Sequence, residues 1–155
     1  MNVDELRPLF EEALRETATK DAYLFLVDVS ERNLAGRLAI HLQPKLPRWH
    51  VDPEYNRMNG DLPKRIELPP MCAGYRNDDN LVLVSPDLVV HRRGADGPNL
   101  LVVELKKTTN GDTGLCDQQR LIAFRRQFRY RFGARIECET RPGSDPAMRL
   151  LDWFE

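Results

Sequence analysis

The sequence predicts an α/β fold in which helices cover both faces of a central sheet. Three observations carry this expectation. The runs LVLVSPDLVVHRR and LLVVELKK, on either side of the turn-rich GADGPN, are apolar and β-branched on both faces for several residues. Strands of that kind belong to a sheet covered on both sides, whereas a one-sided sheet shows strict alternation. Helix-period segments lie on both sides of this pair, over 4–18, from Ser30, and over 115–129. An alternating segment follows the last of them, so helix and strand patterns succeed one another along the chain.

Taken in order, Leu6, Phe10, Ala13, Leu14 and Thr17 share one face of a helix over 4–18, with acids and arginines elsewhere. A second helix starts near Ser30, a good N-cap, because Leu34, Leu38 and Leu42 recur every four residues with Ala35 and Ala39 beside them. Pro44 and Pro47 end it. The segment 49–57, WHVDPEYNR, has a weak period of two and predicts a strand, with Pro53 marking an edge or a bulge. Residues 58–80 hold prolines, glycines and an Asn/Asp cluster with no sustained period, and are expected to form one long loop, either bordering a site or a disordered insertion. The two apolar runs predict two long strands joined as a hairpin. Leu121, Phe124 or Arg125, and Phe128 share a face of a helix over 115–129, and Ala134, Ile136 and Cys138 alternate with Arg135, Glu137 and Glu139 in a last strand. The tail RLLDWF is apolar enough to dock, without a pattern that decides its type.

Length and composition bound the function. At 155 residues, with 41% hydrophobic and 30% charged residues, the chain suits one globular domain spanning 1–155 and is too apolar for a disordered one. Its longest apolar run, Ala22 to Val27, is far below the roughly 20 residues that cross a bilayer, and the N-terminus lacks the pattern of a signal peptide. No membrane partner is expected. Cys72, Cys116 and Cys138 give neither a disulfide framework nor a CxxC pair, which favours a reducing cytoplasm. The formal charge of -1 provides no global field toward nucleic acid, so any such binding has to rest on a local patch.

Several chemistries lack their residues. The glycines of TNGDTG are not followed by the Gly-Lys-Ser/Thr of a phosphate loop, His41, His50 and His91 are isolated, and no GxSxG elbow is present. What remains lies on the predicted hairpin. Alternation places Leu100, Val102, Glu104 and Lys106 on one face, and Leu101, Val103, Leu105 and Lys107 on the other. If Arg93 faces Leu100 across the turn, Asp87 faces Lys106 and is diagonal to Glu104. Two carboxylates and one lysine then meet. Such a pair repels unless a cation intervenes, and a hard divalent ion suits one or two carboxylates together with phosphate oxygens. A structural salt bridge to Lys106 is the alternative. Glu31 lies on the buried stripe of the second helix, which aims a third carboxylate inward, although a helix N-terminus also favours an acid there.

These residues resemble the PD-(D/E)XK nuclease superfamily. Pro86-Asp87 and Glu104-Leu105-Lys106 stand as its motif, and the order from Ser30 through Glu139 is similar to its helix, three strands, helix, strand. The resemblance implies a restriction-endonuclease-like αβββαβ core over about 30–139, with a mixed central sheet flanked by helices. It makes Asp87, Glu104 and Glu31 metal ligands and Lys106 the catalytic lysine, with Mg²⁺, or Mn²⁺ in its place, as cofactor. Asp117, Gln118 and Gln119 are equal candidates for a polar helix residue after the motif. A more local similarity, in ERNLAGRLAIHLQ, PEYNR and PDLVVHRRG, is to small bacterial proteins of this superfamily.

The implied activity is hydrolysis of phosphodiester bonds in nucleic acid, DNA ahead of RNA, with room for a homodimer. The metal would activate water and polarise the phosphate, while Lys106 orients the water or stabilises phosphoryl charge. Arg125, Arg126 and Arg129 are candidate phosphate contacts, set against the commoner solvated helix face. The competing class is a nuclease-fold binding or interaction module without turnover. Near-neutral charge favours the module, and the intact set Glu31, Asp87, Glu104 and Lys106 favours the nuclease.

Overall fold

A computed structural model of the chain describes residues 1–58, 62–63, 65–73, 81–94, 97–111 and 114–155. The first predicted helix forms as α1 (Val3–Lys20), opened by a capping box between Asn2 and Glu5, and all five residues of its predicted stripe are buried. After the short α2 (Ala22–Leu26), Ser30 caps α3 (Glu31–Leu42), which buries Leu34, Ala35, Leu38, Ala39 and Leu42 as expected. A 3₁₀ turn over Gln43–Lys45, with Pro44 in its first turn, closes α3.

Five strands make the central sheet: β1 (His50–Pro53), β6 (Leu88–His91), β7 (Asn99–Lys107), β8 (Phe132–Glu139) and β9 (Ala147–Phe154). They lie side by side in that order, with β1 and β9 at the edges. The β7–β8 pair is parallel and the other pairs are antiparallel, so the sheet is mixed. The parallel pair needs a crossover, supplied by α5 (Leu115–Phe128). Pro53 ends β1 on an edge, where its missing N–H costs no ladder bond. The tail whose type the pattern left open is the edge strand β9.

Both faces of the sheet are covered. On one, α1 and α3 pack on Leu88, Val90, Leu101, Val103, Leu105, Ala134 and Ile136. On the other, Leu121 and Phe124 of α5 pack with Val89 and Val102. Leu100, beside the register shift at His91, joins the first cluster instead of pointing with Val102.

Three expectations are corrected. The long loop over 58–80 contains local structure: β2 (Arg57–Met58) pairs with β3 (Leu62–Pro63), β4 (Arg65–Glu67) follows, and α4 (Pro70–Ala73) comes next. Residues 59–61, 64 and 74–80 of that loop, 95–96 of the hairpin turn and 112–113 lie outside the described residues. The first apolar run is two strands, not one. Its start, β5 (Leu81–Leu83), pairs with β4 in a separate two-stranded sheet, and only β6 joins the central sheet. Pro86 stands between them and removes a ladder donor. Cys72 and Cys116 form a disulfide across 44 residues, while Cys138 is free and buried. The bond ties α4 to the first turn of α5 and removes the premise on which a reducing cytoplasm was expected. Among the described residues no helix is long and apolar enough to cross a membrane.

Candidate functional site

The carboxylates collect where β7 ends and α5 begins. Leu88 faces Val103, so Asp87, one residue before β6, stands across from Glu104. The hairpin is therefore two residues out of the expected register. A shift of two preserves the faces, so Asp87 and Glu104 still meet, directly and not diagonally. Leu105 N–H donates to Asp87 Oδ2 at 2.6 Å, which pins the side chain to the sheet end. Burial pushes the Asp87 carboxyl up to about 6, assisted by the charge of Glu31. Glu104 is 3% exposed, and burial followed by the Asp87 charge drives its pKa well above the ordinary value.

Asp117 and Arg120 of α5 complete the group. Asp117 is buried, one turn before Leu121 on the stripe that faces the sheet. Gln118 instead donates to Asp152 Oδ2 at 3.4 Å, and Gln119 lines a surface cavity beside Glu67 and Pro69. Among these three residues, only Asp117 enters the site. Arg120 Nη2 donates to Glu104 Oε2 at 3.3 Å and makes a short contact with Asp117 Oδ1. Burial alone would lower the Arg120 pKa, but Glu104, Asp117 and Asp87 hold it above its ordinary value. Lys106 Nζ lies 3.4 Å from Asp117 Oδ2, on the face shared with Glu104. Sequence reasoning missed Arg120, although its spacing of three from Asp117 puts it one helical turn farther along the same face.

Glu31 arrives from the other side of the sheet. Its Oε1 accepts from Lys107 N–H at 3.0 Å and from Asn110 Nδ2 at 3.3 Å, so it ties α3 to the end of β7. The predicted set thus meets at one sheet end, with Asp87, Glu104 and Lys106 on the α5 side and Glu31 at the border. Lys107, of opposite parity, turns away to Asp28 Oδ1 at 2.9 Å. The three predicted arginines do not converge. Arg125 is half-buried, its methylene Cδ 3.2 Å from where a Cβ on Gly133 would stand, Arg126 borders the cavity with Glu67, and Arg129 lies beyond the C-terminus of α5.

Glu104 Oε1 and Asp117 Oδ2 are buried without a hydrogen-bond donor. Hard anionic oxygens without donors are what Mg²⁺ or Mn²⁺ coordinates, so the donor chemistry fits such an ion. Among the described residues, no three His, Cys, Asp or Glu side chains are already gathered as a metal centre. Arg120 spans the gap between Glu104 and Asp117 instead. No protein-family model, curated protein or solved structure matches this chain.

Proposed function

We propose that this protein is a metal-dependent nuclease that hydrolyses phosphodiester bonds in nucleic acid, DNA ahead of RNA, on a restriction-endonuclease-like core. One observation carries the reading: two facing carboxylates at a sheet end, Asp87 and Glu104, the second with a buried oxygen that no donor reaches, beside a lysine of the same strand face. Asp87, Glu104 and Asp117 would hold Mg²⁺ or Mn²⁺, with Glu31 at the border. The ion would supply Lewis acidity toward the scissile phosphate and lower the pKa of the attacking water.

The chain's own groups do the rest. Leu105 N–H orients Asp87, so one carboxylate oxygen is spent on the backbone and the other is available. Lys106, held beside Asp117, presents an ammonium that can orient water or stabilise charge on the phosphoryl oxygens. Arg120 offsets Glu104 and Asp117 in the metal-free protein, and its guanidinium is a donor for phosphate once those carboxylates take another cation. Burial keeps protons on Asp87 and Glu104, so metal binding releases them and tightens as pH rises through about 6.

The test is nicking of supercoiled plasmid, and cleavage of an RNA of similar length, in Mg²⁺, Mn²⁺ or EDTA. Metal-dependent cleavage abolished in Asp87→Asn and Lys106→Ala, but retained in Lys107→Ala, is the expected result. An Asp87→Asn variant that cleaves at the wild-type rate would overturn the assignment.

A further inference from the structure

At the opposite end of the sheet lies a second surface of a different character. Trp49, in the segment before β1, is common to two adjoining cavities of about 360 Å³ and 350 Å³. The first also takes in Arg48 and Arg92, and the Arg92 guanidinium lies 5.5 Å over the Trp49 ring. The second adds Arg129 and Arg131, with Phe128 between them and Trp49. All four arginines are exposed, and they come from three separate stretches of chain: before β1, after β6, and between α5 and β8.

Their charges are not cancelled. Among the described residues, none of Arg48, Arg92, Arg129 and Arg131 forms an ion pair with a carboxylate. The acids within reach are already engaged: Asp52 is held by Arg93 and by His91 Nε2 at 2.8 Å, and Glu5 accepts from Asn2 N–H at 2.8 Å beside the N-terminal amine. In a chain whose formal charge is -1, this is a concentrated positive field around an aromatic surface.

We propose that this groove is a binding surface for single-stranded nucleic acid, separate from the carboxylate site. Phosphates would lie on the arginines, and a base would stack in the second cavity against Trp49 and Phe128. Cations unpaired with carboxylates, combined with an accessible aromatic wall, are what a sequence-tolerant single-strand groove requires. An acidic peptide would use the arginines and leave the aromatic wall without a role. Asn99 and Leu100 line the groove and Lys106 stands near the other end of β7, so at about 3.3 Å per residue the two surfaces are roughly 20 Å apart. Binding here can therefore be measured without turnover.

The experiment is fluorescence anisotropy of a labelled oligothymidine with the full chain in EDTA, across a salt series. Wild type should bind with a strong salt dependence. Replacing Arg48, Arg92 and Arg131 together by alanine should flatten the log–log salt slope by about 0.7 for each arginine–phosphate pair removed. Trp49→Ala should weaken binding about 5- to 100-fold, Trp49→Phe should retain most of it, and Arg126→Ala on the other face should change nothing. Three results would overturn the proposal: no binding by wild type at low salt, an unchanged slope in the triple variant, or polyglutamate competing as well as oligothymidine while Trp49→Ala binds normally. Because EDTA is present throughout, none of these outcomes depends on the metal site. Loss of plasmid nicking would likewise leave this result standing.

Discussion

Asp87 and Glu104 face each other with only part of their charge offset, so the metal-free site is a place of like-charge repulsion. Asp87→Asn removes one of the two charges and keeps an oxygen that can accept from Leu105 N–H. In EDTA the variant should be as stable as wild type or more so. A divalent ion at 100 times its dissociation constant should stabilise wild type by about 2.7 kcal/mol, and the variant should lose most of that gain. Thermal melts with and without Mn²⁺ check both arms; a destabilised variant with a wild-type melting point that ignores metal would return the site to a structural ion pair. The same residue sets a pH trend. Its carboxyl titrates near 6 when folded against about 3.8 when unfolded, so between those values the native state binds the extra proton. That contribution is present at low pH and is lost as pH rises through 6, amounting to roughly 3 kcal/mol. Urea unfolding in EDTA at pH 4.5 and 7.5 should show the decline in wild type relative to Asp87→Asn.

At the level of elements, the N-terminus of α5 positions the site. Gly114 precedes the helix at φ 74°, and a Cβ there would stand 2.5 Å from Nη1 of Arg135, which Asp152 holds at 2.6 Å. Gly114→Ala therefore meets both a left-handed backbone and a fixed guanidinium, and should cost about 1–2 kcal/mol. Because Asp117 and Arg120 ride on the first turns of this helix, Mn²⁺ affinity by titration calorimetry should fall in the same variant. If affinity is unchanged, Asp117 is not a ligand. The helices were legible because their stripes are long: five buried positions in α1 and five in α3 outvote any local ambiguity. Asp117 was only one of three candidates, since a polar residue on a buried stripe breaks the apolar period that reveals the stripe. Extending Leu121 and Phe124 one turn backward would have chosen it. The double-length strand before the turn failed for a related reason. Val82 and Val89 look alike to a period count, and only Pro86 signals that the chain changes sheets there.

Across the whole molecule, the features that sequence alone did not reveal are those made by contacts between distant segments. The arginine groove draws on residues between 48 and 131, and a net charge of -1 conceals it by averaging. Cys72 and Cys116 looked unpaired for the same reason, because spacing says nothing about whether two positions meet once α4 and α5 are in place. Their bond closes a stretch of 44 residues that contains β6 and β7, the middle of the sheet. In the chain-entropy account, such a closure restricts the unfolded state by about 4 kcal/mol, and the folded contacts of β7 with β6 and β8 do not depend on it. Reduction should then lower the urea midpoint without changing the far-UV spectrum of the folded protein. Cys72→Ser should show the lowered midpoint already and ignore the reductant, which separates loss of the bond from any other effect of the reagent. Thiol titration of the denatured, unreduced protein should find Cys138 alone reactive. If all three cysteines react and the wild-type midpoint is indifferent to reductant, the covalent tie is absent, and α4 is held to α5 by noncovalent packing alone.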